Sequence, residues 1–127
     1  MQLVDMRLVQ KLALLMTENY NPPAPRADLR WLGVDLDGTL AEPVWTADNP
    51  TSEIGKPIWT NVEKLRRAVE KGYKAVIHTS RPWTDYEAIE YWLIYWEIPF
   101  KEIQCGKPLY KAYIDDRAVH ADEEEWV

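Results

Sequence analysis

A chain of 127 residues is long enough to bury one core and too short for a catalytic domain with a separate substrate domain. Hydrophobic residues at 46% and charged residues at 28% suit a soluble globular protein, and no apolar run reaches the roughly 18 residues of a membrane span. The net charge of −6 argues against a module that holds duplex nucleic acid along a basic face, but leaves room for a small anion bound by local cations or a metal. Cys105 is the one cysteine, so no internal disulfide forms and a reducing, cytoplasmic home is expected. Asp5 and Arg7 interrupt the apolar N-terminal residues before a secretory leader could develop. Seven tryptophans and seven tyrosines against one phenylalanine point either to core packing or to a stacking surface or interface.

In chain order, Leu3, Met6, Val9, Leu12, Leu15 and Met16 recur at helical spacing and predict an amphipathic helix over about 3–19. The run Asn21-Pro22-Pro23-Ala24-Pro25 cannot continue it, which makes residues 1–20 a helical appendage and 21–30 a linker. Trp31 to Leu36 reads as a buried parallel strand, stopped at Asp37-Gly38. Prolines and a glycine punctuate residues 41–57, a long loop or flap. Val62, Leu65, Ala68 and Val69 form the inner face of a helix that ends at Gly72, and Tyr73–Thr79 is a second strand. Thr84 and Glu87 have the spacing of a capping box opening a helix to about Glu97. Ile89, Leu93 and Trp96 make its core stripe; Tyr91, Trp92, Ile94 and Tyr95 make its other side apolar, to be covered by the N-terminal helix or a second subunit. Residues 103–105 and 112–115 predict short third and fourth strands, and 119–127 an acidic solvated tail. One domain follows, with its core at 31–118: an α/β sandwich on a mainly parallel sheet, whose ligands bind at the carboxyl ends of the strands.

That rule gathers Asp35 and Asp37 after the first strand, Thr79, Ser80 and Arg81 after the second, Lys107 after the third, and Asp115 and Asp116 after the fourth. Four carboxylates at one edge need a multivalent cation and a fixed positive side chain to stay ionised together, and oxygen-only donors suit magnesium. Arg81 reads either as a phosphate or substrate contact or as a surface charge at a helix entry. His78 lies on the opposite side of its strand from Thr79 and reads as structural. Trp45, Trp59, Trp83 and Tyr86 flank the expected mouth, as packing residues or as stacking surfaces for a sugar or base. No histidine partners Cys105 by motif, so it reads as inert.

The segment Asp35-Leu36-Asp37-Gly38-Thr39-Leu40 behind an apolar strand resembles the first motif of the haloacid dehalogenase (HAD) superfamily, and Thr79, Lys107 and the Asp115-Asp116 pair resemble its second, third and fourth. The resemblance covers roughly residues 30–118. It implies a three-layer Rossmann-like sandwich, a magnesium requirement and an aspartyl-phosphate intermediate. On this reading Asp35 is the nucleophile, Asp37 the general acid and base, Thr79, Ser80, Arg81 and Lys107 bind phosphate or substrate, and Asp35, Asp37, Asp115 and Asp116 surround the metal. An acid two residues after the nucleophile fits phosphoester chemistry, since an alkoxide leaving group needs a proton. Neither interval between motifs holds a cap domain, so the chain resembles capless members. The expected activity is a magnesium-dependent phosphomonoesterase, acting on a sugar phosphate, a nucleotide or a nucleic-acid end, with no membrane partner and with room for a homo-oligomer. The alternative is a catalytically silent scaffold that binds a phosphorylated ligand or partner. A response-regulator receiver has its acidic pair at the first strand, where here it comes last, and a kinase's GxxxxGK[ST] loop is absent.

Overall fold

The computed structural model describes residues 30–127, together with Met6, Arg7, Val9 and Gln10, which are helical and exposed. The rest of the predicted N-terminal helix and the linker lie outside the described residues.

Strand β1 (Trp31–Val34) leads through a long loop to helix α1 (Trp59–Glu70), strand β2 (Lys74–His78), a single 3-10 turn (Trp83–Asp85), helix α2 (Tyr86–Tyr95) and strand β3 (Glu102–Gln104). The three strands form a parallel sheet in the order β1-β2-β3, with Val34 beside Ile77 and Ile77 beside Ile103. This is a small α/β fold with alternating strands and helices. Central β2 is buried through three consecutive residues, Ala75, Val76 and Ile77, as expected of a parallel strand covered on both faces. Val62 and Leu65 from α1 and Ile89, Trp92 and Leu93 from α2 join Leu36, Leu40 and Ile103 in one buried cluster. Among the described residues no helix is long and apolar enough to cross a membrane.

Both helices stop by the same device. At the end of α1 the Gly72 N–H donates to the Val69 carbonyl and the Tyr73 N–H to the Ala68 carbonyl, with Gly72 at φ +99°, as its expected role as terminator requires. At the end of α2 the Glu97 N–H donates to Ile94 and the Ile98 N–H to Leu93, so Glu97, at φ +56°, occupies a position that favours glycine.

Four expectations are corrected. The capping box is not formed: α2 opens from the 3-10 turn, and no side chain caps it. Trp92 belongs to the inner face of α2, where its indole N–H donates to the Gly55 carbonyl at 3.0 Å and ties the helix to the flap; Tyr91, Ile94 and Tyr95 alone face outward. The fourth strand is absent, and residues 105–127 contain no helix or strand. Asp115 accepts the Arg117 N–H at 2.8 Å, a local turn that competes with strand pairing, and Ile114 is fully exposed. The acidic tail is not simply solvated. Trp126 packs against the core, Glu125 pairs with Arg67 and Lys71, and Lys64 donates to the Ala121 carbonyl, so the basic face of α1 is occupied by the chain's own end.

Candidate functional site

The turn after β1 is built on one carbonyl. Leu36 O accepts the backbone N–H groups of Thr39, Leu40 and Ala41, and Gly38 takes φ +85° to allow it. With Leu36 fully buried beneath, Asp35 and Asp37 flank it on the outer side of the same turn. Asn61, a residue no motif marks, donates to Thr39 O at 2.8 Å and holds the turn against α1.

The loops after β2 and β3 are zipped together. Thr79 N donates to Gln104 O, Gly106 N to Arg81 O and Lys107 N to Thr79 O. This carries Lys107 over to the first turn, where its ammonium stands 3.2 Å from Asp35 Oδ1, while Thr39 Oγ1 donates to Asp35 Oδ2 at 3.3 Å. Thr79 is buried, and its hydroxyl oxygen accepts the Arg81 backbone N–H at 3.2 Å. The hydroxyl proton is left to donate elsewhere.

These residues form the floor of a cavity of about 330 Å³, to which Asp35, Asp37, Thr79, Ser80 and Lys107 all contribute. One wall is the flap, with Pro43, Trp45, Thr46 and Ala47; another is the stretch after Lys107, with Pro108, Leu109 and Tyr113. Of the four aromatic residues expected at the mouth, only Trp45 lines the cavity. Trp59 instead packs edge-on against Trp96, and Trp83 stacks on Tyr86. Tyr113 and Leu109 carry no sequence signal beyond closely following Lys107.

Arg81 is fully buried and every N–H of its guanidinium has an acceptor. Nε and Nη2 fork onto the two oxygens of Asp37 at 2.8 and 2.9 Å. The remaining donors reach Thr51 O at 2.9 Å, Glu53 O at 2.6 Å and Asp85 Oδ2 at 3.3 Å. Burial by itself would lower its pKa, but the hydrogen bonds and charges of Asp37 and then Asp85 outweigh it and the net shift is upward. Its assignment to phosphate or substrate is therefore corrected: Arg81 has no donor left for a ligand, and it joins Asp37, the flap and the start of α2.

Asp115 and Asp116 are exposed and do not join Asp35 and Asp37; among the described residues no three acidic, histidine or cysteine side chains cluster as a metal site. The Asp115 carboxyl is held below its usual range chiefly by the Arg117 backbone N–H. Arg81 takes up one lone pair on each Asp37 oxygen, and among the described residues Asp37 joins no cluster of three acidic, histidine or cysteine side chains. The carboxylate open to the cavity is Asp35, 39% exposed, and it is the group that would hold magnesium, an ion that keeps several waters and binds through one or two carboxylates. His78, half-buried at the end of β2, is held below its ordinary value by burial and then by the Lys107 charge, against the pull of Asp35. Burial raises the Cys105 thiol, in keeping with its reading as inert.

No family model matches the sequence, and no curated protein matches it. A crystal structure of an MCSG target from Vibrio cholerae superposes with a TM-score of 0.59 at 35% sequence identity, over 73% of this chain and 85% of that one. At that identity and coverage, the chain belongs to the same family as the Vibrio cholerae protein.

Proposed function

We propose that this protein is a magnesium-dependent phosphomonoester hydrolase of the HAD type, with a Rossmann-like three-layer fold and no cap domain. The observation that carries the reading is the pairing of Asp35 with Lys107 at 3.2 Å on a cavity floor shared with Thr79 and Asp37. A carboxylate that attacks phosphorus needs a fixed cation beside it and donors for the phosphoryl oxygens, and those are the groups gathered here.

In this scheme an Asp35 oxygen bonds to phosphorus as the bond to the leaving oxygen breaks. Lys107 and the Thr79 hydroxyl meet the charge on the phosphoryl oxygens. Asp37 protonates the leaving oxygen and then takes a proton from the water that releases phosphate from Asp35. Arg81 uses one lone pair on each Asp37 oxygen, and each oxygen keeps a second for that proton. Magnesium, held at Asp35, would supply further neutralisation of phosphoryl charge.

The test is phosphate release from an aryl phosphate and a panel of sugar phosphates, nucleotides and phosphorylated oligonucleotides, with magnesium or with EDTA. Release that needs magnesium is expected; no release from any of them contradicts the proposal. The second reading, a scaffold that binds a phosphorylated ligand without turnover, is favoured by one observation: the acidic pair Asp115-Asp116 stands apart from the cavity. Binding of phosphate without release of it from any ester would select that reading.

A further inference from the structure

The cavity divides by chemistry. Its floor is charged and polar, whereas Pro43, Trp45, Pro108, Leu109 and Tyr113 make its walls largely apolar and aromatic. Trp45 and Tyr113 are outside the buried core cluster, and among the described residues neither ring pairs with the other, although several neighbouring aromatic rings do pair. The core cluster therefore does not account for their placement. Tyr113 is nonetheless fixed: its hydroxyl donates to Pro108 O, its ring meets Tyr110 edge-on at 5.3 Å, and the Lys107 ammonium lies 5.9 Å from its centroid. An aromatic face thus stands beside the cation that pairs with Asp35. Trp45 approaches from the flap, its ring 6.0 Å from the Arg81 guanidinium carbon and its buried indole N–H without an acceptor among the described residues. No hydrogen bond locks that ring against the adjustment a bound ring would require.

Resting on the phosphohydrolase reading, we propose that the site selects phosphomonoesters whose leaving group carries a flat aromatic ring, bound between Trp45 and Tyr113. Size and charge narrow the class. About 330 Å³ is the lower end of small-molecule sites, enough for a phosphoryl group and one ring system. Among the described residues the lining holds one cation, Lys107, already paired with Asp35, so a second or third phosphate would meet no further counter-charge there. The favoured ligand is a monophosphate, of the kind that a nucleoside monophosphate or an aryl phosphate represents.

The experiment is calorimetric titration of the Asp35→Asn protein, which lacks the attacking carboxylate, with adenosine 5′-monophosphate and with ribose 5-phosphate, with and without magnesium. Stacking of one base predicts tighter binding of the nucleotide by roughly 5- to 150-fold. Adding Trp45→Ala or Tyr113→Ala should bring that ratio towards one, while Trp45→Phe retains most of it. Equal binding of the two ligands, or a ratio that neither alanine variant changes, overturns the proposal. The two claims fail separately: ring-selective binding by a wild type that releases no phosphate sinks the hydrolase reading alone, and hydrolysis with equal binding sinks the ring selection alone. Binding of neither ligand overturns the ring selection, and phosphate release by the wild type decides the hydrolase reading.

Discussion

Arg81 shows how one side chain can organise a site without touching its ligand. A fully buried guanidinium is tolerated because Asp37 and Asp85 neutralise it and two carbonyls satisfy its remaining donors. Its removal should therefore leave two poorly solvated carboxylates and a detached flap. Arg81→Met is expected to cost about 3–5 kcal/mol, read from the midpoint and slope of urea unfolding. A loss below about 1 kcal/mol would mean that the ion pairs are not formed in solution. Arg81→Lys should not restore the loss, because an ammonium cannot fork onto two oxygens at the guanidinium's geometry. His78 gives a pH signature. Its folded pKa lies below 6.5 while the unfolded chain titrates near 6.5, so on acidification the unfolded chain takes up the proton first. Stability conferred by the neutral imidazole is present above that value and is lost as pH falls through it towards the folded pKa. Urea midpoints at about pH 7.5 and about pH 5.5 should differ less for His78→Gln than for the wild type; an unchanged difference would acquit His78.

The legible elements are those whose signal is local. Three strands, two helices and the Gly72 terminator follow from apolar runs, helical periodicity and a glycine at the right offset. The failures are equally specific. Thr84 and Glu87 have capping-box spacing, but the backbone takes a 3-10 turn there, in which Asp85 N donates to Pro82 O and the Asp85 side chain is drawn to Arg81. Residues 112–115 read as a short apolar strand ending at Asp115, yet Asp115 closes a turn with Arg117 and Tyr113 joins the cavity wall. Trp92, three residues after Ile89 and four before Trp96, has the spacing of the core stripe, a signal masked because α2 is apolar almost all round. Glu97 is the one position in these elements where sequence and conformation disagree. A non-glycine residue in the left-handed region carries a penalty that glycine avoids, so Glu97→Gly should stabilise the protein by up to about 1 kcal/mol. Thermal unfolding of the two proteins checks this, and a lower midpoint for the glycine variant would show that the Glu97 side chain makes up for its backbone.

At the scale of the whole molecule, the site exists because parallel strands end on the same side. β1 delivers Asp35 and Asp37, β2 delivers Thr79 and Arg81, and the turn after β3 delivers Lys107, so residues 72 positions apart meet at 3.2 Å. The strand-end rule makes this gathering legible in the sequence. It did not reveal which of the gathered groups are free: Lys107 and Arg81 look alike as cations in a sequence, yet one lines the cavity and the other is enclosed with every donor satisfied. Of the walls, Trp45 is among the aromatics expected at the mouth, whereas Tyr113 falls in a segment that reads as a strand. The tail is a similar case, its acidic composition suggesting solvent while Trp126 and Glu125 anchor it to α1.

That phosphoryl transfer runs through Asp35 is tested most directly by phosphate release from the best ester of the panel, measured in magnesium for the wild type and for Asp35→Asn, with circular dichroism confirming that both are folded. The asparagine keeps the shape but is a poor nucleophile for phosphorus, so release should fall by at least about 1,000-fold. Release by the folded Asp35→Asn protein at a rate near that of the wild type would contradict the mechanism and remove Asp35 from its centre.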